Sequence, residues 1–324
     1  MPLQHIAKNI LLAAGTIFIV AAVATCVLLF VPTGGGRSFT VASGETLSAL
    51  SSQLQSDGIV RSGFALRVLA RLKNIDGVIK AGNYRLDKNV TPGELLTLLE
   101  DGPPVVEVLI PEGSTIRDID QILAGRGLIT AGEFVATAKS LSSLTEGYLF
   151  PDTYHFSAGM KPAEMLDIMR DNFTRKAASI LPSDPERSRS AVILASIVEK
   201  EVRTDSDRRL VAGIIWKRLG SSMRLQVDAS LCYAKRERLA VANVPWKGCY
   251  PLTDTDKADA SPFNTYLHEG LPPTPIGNPG LSALSAAVNP ASSTYLFYIS
   301  TPSGSTIYAN DFEAHKKNIA KYLQ

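Results

Sequence analysis

The chain has 324 residues, enough for about two domains. Hydrophobic residues make up 45% of it, which favours a packed core over disorder. The net charge is only +2, so no basic field argues for a nucleic-acid partner.

The first element in chain order is ILLAAGTIFIVAAVATCVLLFV, residues 10–31, which carries no charge. As a helix it would span roughly 33 Å, about one hydrocarbon core. Cleaved signal peptides have a shorter apolar stretch, of about 7–15 residues. Cys26 lies too deep in the run for a lipoprotein site. A retained single-pass transmembrane helix is the expectation. Lys8 precedes it and Arg37 is the first charge after it, which places residues 1–9 in the cytoplasm as a short tail. PTGGGRS, residues 32–38, reads as a linker to a folded part outside the cytoplasm. Two cysteines lie beyond the anchor, Cys232 and Cys249. An exported location permits a disulfide between them; two free buried thiols are the alternative.

FTVASGETLSALSSQLQSDGIV, residues 39–60, predicts a short strand, a turn at Gly44 and a helix with Leu47, Leu50 and Leu54 on one face. The same pattern returns at residues 106–129, VEVLIPEGSTIRDIDQILAGRGLI. Gly44, Thr46, Leu47, Leu50, Leu54, Gly58 and Ile59 match Gly113, Thr115, Ile116, Ile119, Leu123, Gly127 and Leu128, all at one constant offset. This reads as a duplicated strand–turn–helix unit. Thr46 and Thr115 take the N-cap position, with Ser114 as an alternative in the second copy. Between the copies lie a helix over 64–73, a strand in AGNYRLD and a helix in TPGELLTLLEDG, with Thr91 as N-cap and Pro92 at the first helical position. Residues 39–102 therefore form a small α+β module.

Residues 103–324 read as a larger mixed α+β domain. EGYLFPDTYHF, residues 146–156, is an aromatic-rich loop or extended piece. Helices are predicted over 165–178, around residues 194–202 and over 206–220, the last ended by glycine. GLPPTPIGNPG, residues 270–280, excludes helix and central strand. TYLFYIS, residues 294–300, is a strand, and EAHKKNIAKYLQ a terminal helix.

The four histidines, at 5, 155, 268 and 315, show no ligand spacing, so no metal and no cofactor are expected. Neither a Gly-x-Ser-x-Gly elbow nor a phosphate loop occurs. No helix N-terminus is evident that would activate Cys232 or Cys249 as a nucleophile. Carboxylate chemistry is left, and LASIVEKEV, residues 194–202, raises it. Glu199 shares a face with Val192, Ala195, Ser196 and Val202; Glu201 shares one with Leu194, Ile197 and Val198. Both faces are mainly apolar, so periodicity does not choose between the two. Burial disfavours the ionised carboxyl, and a neutral acid near pH 7 is what protonating a glycosidic oxygen requires. The bland alternative is a helix end where one glutamate pairs with Arg203 or Lys200 and the other is solvated. Gln226 and Asp228 in MRLQVDAS, and Asn264, Thr265 and Tyr266 in SPFNTYLHEGLPP, are polar groups in apolar or rigid stretches. They are turn and cap residues or, as a set, contacts for an N-acetylated sugar.

At these residues the chain resembles the endolytic murein transglycosylases, YceG-like membrane-anchored enzymes that cut nascent peptidoglycan. EGYLFPDTY, ASIVEKE, MRLQVD, SPFNTY, GLPPTPIGNPG and a late EAHKKN stand in the family's order over nearly the whole chain. The resemblance implies that Glu199, the first glutamate of Glu-Lys-Glu, is the general acid. It implies a substrate-binding lining of Gln226, Asp228, Asn264, Thr265 and Tyr266. It also implies that 39–102 is a LysM-like, glycan-holding module and 103–324 the catalytic domain. Ala229 and Phe263 depart from the family's usual proline and tyrosine, which bears on binding more than on chemistry. The segment between Cys232 and Cys249 has no role in the resemblance. The implied activity is lytic cleavage between N-acetylmuramic acid and N-acetylglucosamine, leaving 1,6-anhydro ends and limiting strand length. Its setting would be the extracytoplasmic face of the plasma (inner) membrane, with penicillin-binding peptidoglycan synthases as partners. A muramidase-type hydrolase, with Asp228 placing water or a nucleophile, and a non-enzymatic peptidoglycan-binding membrane anchor are the alternatives.

Overall fold

A computed structural model describes residues 15–323 except 18, 22, 26, 29, 43, 76–78 and 142–144. The tail expected at 1–9 lies outside the described residues, and so does part of the anchor expected at 10–31. The described residues from 15 to 30 are helical. Ile17, Ile19, Val20, Val23 and Phe30 among them are exposed. Among the described residues no helix is long and apolar enough to cross a membrane. The chain divides into two compact units, Met1–Glu107 with His155–Met160, and Val108–Tyr154 with Lys161–Gln324. The architecture is mixed α+β, with three two-stranded sheets among the described residues.

In the first unit, β1 (Arg37–Val41) pairs antiparallel with β2 (Gly82–Leu86). Phe39 faces Tyr84 across the ladder, and their rings stack at 5.1 Å. Three helices cover this ribbon: α1 (Leu47–Ser56), α2 (Gly63–Leu72) and α3 (Pro92–Asp101). Each starts where the sequence supplies a cap. Thr46 accepts from Ala49 N–H and Ser62 from Ala65 N–H. Thr91 and Glu94 form a reciprocal capping box behind a proline. Leu50, Leu54, Leu66, Leu95, Leu96, Leu99 and Tyr84 are fully buried and make the core. Each such side chain contributes about 1.5–3 kcal/mol of burial.

The second copy of the repeat consists of β3 (Val105–Leu109) and α4 (Ile116–Gly125). It reproduces the first copy's backbone. Gly44 and Gly113 have φ of 77° and 75°, and Gly58 and Gly127 have 66° and 70°, values open to glycine. Ile59 N–H donates to Leu54 O at 2.8 Å, and Leu128 N–H to Leu123 O at 3.1 Å. Thr115, not Ser114, is the cap, because the Ser114 hydroxyl is spent on Pro111 O.

The chain continues through the second unit with α5 (Glu133–Ser140), β4 (Thr153–Ser157), which pairs with β3 and whose residues from His155 onward count with the first unit, and α6 (Pro162–Ala177). Then come α7 (Pro185–Glu201), α8 (Asp205–Gly220), α9 (Asp228–Val241), α10 (Asp254–Lys257) and α11 (Leu281–Val288). The hairpin β5 (Phe297–Ser300) and β6 (Thr306–Ala309) and a final α12 (Phe312–Tyr322) complete the unit. Helix α7 is the axis of the core: every residue from Ala191 to Val198 is buried. It packs with α8 and α11 through Val211, Ala212, Ile215, Ala283, Leu284 and Ala287. Gly213 permits one close approach, since a Cβ there would lie 2.2 Å from the Ala291 carbonyl oxygen.

Candidate functional site

Because α7 is enclosed on all sides, its last turn is rigidly placed, and three consecutive side chains leave it for different surroundings. The Glu199 carboxylate accepts from the Arg208 guanidinium at 2.7 Å and from Gly280 N–H at 2.9 Å. Only 4% of its side chain is exposed. Arg208 comes from the first turn of α8, where it also bonds Asp205 at 3.1 Å. Lys200 donates to the Gly113 carbonyl at 2.7 Å, and burial draws its ammonium below the usual lysine range. Glu201 is half-buried and lines the cleft. Its carboxylate accepts from the Tyr298 hydroxyl at 3.1 Å. Burial pushes it up to about 7; the Tyr298 bond opposes, the Asp228 charge adds to the rise, and a bond from Ala229 N–H opposes it.

Two cavities meet at this group. One, of about 390 Å³, is lined by Gln226, Asp228, Tyr266, Arg218, Phe297 and Tyr298. The other, of about 310 Å³, is lined by Lys200, Ala229, Tyr233, Arg236, Trp246 and Ile276. Glu201, Tyr250 and Ser300 line both. The Asp228 carboxylate, at the start of α9, accepts from the Tyr266 hydroxyl at 2.5 Å. Burial, and then that carboxylate, raise the phenol well above its usual range.

Of the residues singled out in the sequence, Gln226, Asp228 and Tyr266 therefore line the cleft. Asn264 and Thr265 do not. Asn264 is fully buried, with its amide donating to Lys257 O and Asp259 O at 2.9 and 2.7 Å and its carbonyl accepting from Tyr266 N–H. Thr265 is buried against Val227 N–H and the Ser230 hydroxyl, both at 2.9 Å. These two build the loop that presents Tyr266. Glu199 is absent from the lining of both cavities, its carboxylate engaged by Arg208 and Gly280. The lining residues that sequence reasoning missed as binding groups are Arg218, Tyr250, Tyr298 and Ser300. None carries a local signal, since they come from α8, the loop before α10 and β5, far apart in the chain.

Two of the sequence motifs prove to be scaffold. Asn278 of GLPPTPIGNPG accepts from Gly147 and Leu149 N–H of EGYLFPDTY, both at 2.9 Å, and donates to Ser114 O at 2.8 Å. Glu146 of the latter motif accepts from Ile116 N–H and Tyr233 OH, and burial pushes it up to about 8. Cys232 and Cys249 form a disulfide, with Cα atoms 5.2 Å apart.

Fold and site define a class: an α+β protein of two units whose second unit carries a cleft centred on the last glutamate of a buried helix. The chain belongs to the YceG-like family, which matches residues 39–321. It is 27% identical over 326 residues to a Streptococcus pneumoniae protein named endolytic murein transglycosylase, covering 87% of this chain and 58% of that one. The chain thus spans less than two thirds of that relative's length. A Bacillus subtilis protein of the same name is 24% identical over 315 residues, covering 88% and 84%. The crystal structure of a YceG-like protein from Listeria monocytogenes superposes with a TM-score of 0.54 at 26% identity, covering 87% of this chain and 99% of that one.

Proposed function

We propose that the protein is an endolytic peptidoglycan lytic transglycosylase and that Glu201, in place of Glu199, is its general acid. The observation that carries the assignment is that Glu201 is the carboxyl common to both cavities, held near half-protonation at neutral pH. A glycan strand lying through both cavities would put one of its internal linkages beside this group. Cutting within a strand is what the names of the pneumococcal and Bacillus relatives describe.

Protonated Glu201 gives its proton to the oxygen joining N-acetylmuramic acid to N-acetylglucosamine, and the bond from C1 to that oxygen breaks. Positive charge builds on the muramic ring. Glu201, now anionic, takes the proton of the same sugar's C6 hydroxyl, whose oxygen closes on C1. No water is consumed, and one carboxyl serves as acid and then base because the attacker is already attached. Asp228, oriented by Tyr266, faces the developing charge. Digesting peptidoglycan sacculi with the purified protein and weighing the products tests this. Anhydro-ended fragments from wild type and none from Glu201→Gln are expected. Reducing muramic ends would instead indicate a muramidase, and wild-type cleavage by Glu201→Gln would return the role to another carboxyl.

Residues 10–31 are proposed as a single-pass plasma (inner) membrane anchor that leaves the second unit outside the cytoplasm. The uncharged apolar run and the Cys232–Cys249 bridge, which belongs to an oxidising compartment, support this. In that setting the enzyme meets new strands beside the penicillin-binding synthases that make them, and the LysM-like module of residues 39–102 holds glycan.

A further inference from the structure

The segment closed by the disulfide has no part in the mechanism above, yet it reaches the cleft. It leaves α9 at Val241 and runs to Thr253 without helix or strand. Three links bring its far end back. Cys249 is bridged to Cys232 on α9. Lys235, one turn further along the same helix, donates to the carbonyls of Cys249 and Pro251 at 3.0 and 3.1 Å. The residue held between these links is Tyr250. It is 70% exposed, yet it lines both cavities beside Glu201. Desolvation, and then the charges of Asp228 and Glu201, lift its phenol.

An aromatic side chain left exposed at the mouth of a polar cleft has an apolar face with no protein partner. A pyranose ring offers the matching surface, a face of C–H groups rimmed by hydroxyls. We infer that Tyr250 is the residue on which a sugar ring of the strand stacks at the junction of the two cavities, and that the Cys232–Cys249 bridge is a positioning device for it. The inference rests on the proposed glycan-cleaving function. It assigns the bridge to substrate placement, where a disulfide in a loop otherwise serves only to stabilise the chain.

The test measures affinity for purified glycan strands in the non-cleaving Glu201→Gln full chain, and cleavage in the otherwise wild-type chain. Tyr250→Ala is expected to weaken binding by about tenfold, while Tyr250→Phe and Tyr250→Trp stay within about twofold. The paired change Cys232→Ser with Cys249→Ser is expected to weaken binding by the same factor. Added to Tyr250→Ala, it is expected to weaken binding no further. Reduction of the unaltered bridge should reproduce that loss, and should do nothing once residue 250 is alanine. Melting temperature alone does not decide, because losing the bridge lowers it whatever Tyr250 does. Binding and cleavage by Tyr250→Ala equal to wild type would overturn the stacking role. Additive losses would overturn the link between the bridge and Tyr250. Absence of both glycan binding and cleavage in the wild type would overturn the functional proposal along with this one, whereas the first two results leave that proposal standing.

Discussion

The two sides of the last turn of α7 hold the same residue type two positions apart and treat it in opposite ways. On one side Glu199 meets a guanidinium and a backbone N–H, both aimed at its oxygens. On the other, Glu201 meets a neutral phenol, one N–H and the like charge of Asp228. The first surroundings engage both carboxylate oxygens; the second hold a proton near neutral pH. A role in proton transfer follows from the surroundings, and neither the residue type nor its place in a motif decides it.

Exchanging each carboxyl for its amide breaks the comparison most directly. Glu201→Gln is expected to lower cleavage by at least about 10³-fold with the melting temperature kept, since the cavity asks for a neutral group there. Glu199→Gln leaves the largely enclosed Arg208 with only the more exposed Asp205 and Glu112 as counter-charges and is expected to cost at most about 3–5 kcal/mol of stability. Its activity loss should track unfolding and recover at low temperature. A stable, inactive Glu199→Gln beside an active Glu201→Gln would reverse the assignment.

The pH dependence should separate the two sides next. Cleavage needs protonated Glu201, so the rate should fall about tenfold per unit as pH rises above about 7. The same group makes stability fall in the same direction. Its folded pKa lies above the unfolded value, so the folded state holds the proton longer. The stabilisation is complete below about pH 4.5 and is lost as pH rises through about 7. Glu146, pushed up to about 8, extends that loss further. Denaturant titrations from pH 5 to 8 should show a shallower fall for Glu201→Gln than for wild type, by at most about 3 kcal/mol over the window. An unchanged slope would mean that Glu201 is ionised throughout.

The first unit was readable in the sequence because its signals are local. Thr46, Thr91 and Pro92 mark helix starts, Gly44 and Gly58 mark the turns that need positive φ, and leucines at helical spacing mark the core. The second unit hides more. α9 follows Val227, which offers no side-chain cap, and α11, LSALSAAV, is too short and uniform to show a face. The choice between the glutamates was illegible for a specific reason: a helix buried on every side from Ala191 to Val198 carries no directional period. What separates them lies elsewhere in the chain, on Arg208 for one and on Tyr298 for the other. The family resemblance favoured Glu199 over Glu201, and the contacts favour the reverse. Asn264 and Thr265 misled by type, since their polar groups are consumed by their own loop and its neighbours.

That distinction within one loop yields a smaller, paired effect. Asn264→Ala strips partners from two carbonyls and one N–H and is expected to cost about 1–3 kcal/mol of stability, with the catalytic rate per folded molecule nearly kept. Tyr266→Phe removes one hydroxyl at the cleft. It is expected to leave stability within about 1 kcal/mol and to lower the rate about tenfold, because Asp228 loses the group that orients it. Melting curves and initial rates on the same preparations check both. Equal stability losses and equal rates in the two variants would mean that Tyr266, like Asn264, is scaffold.

The smallest effect bears on Glu201 most specifically. Tyr298 is half-buried beside the carboxyl and donates a side-chain hydrogen bond that favours its ionised form. In Tyr298→Phe that bond is gone, so the proton is held more tightly and the carboxyl stays neutral to higher pH. The falling limb of the rate profile should therefore move upward, by less than about one pH unit, with the plateau rate below it nearly unchanged. The sign is the informative part. Damage to packing lowers the plateau without moving the limb, and a substitution acting through Glu199 lowers stability without moving it either. A limb that moves downward in Tyr298→Phe would mean that the titrating acid is not the group this phenol touches.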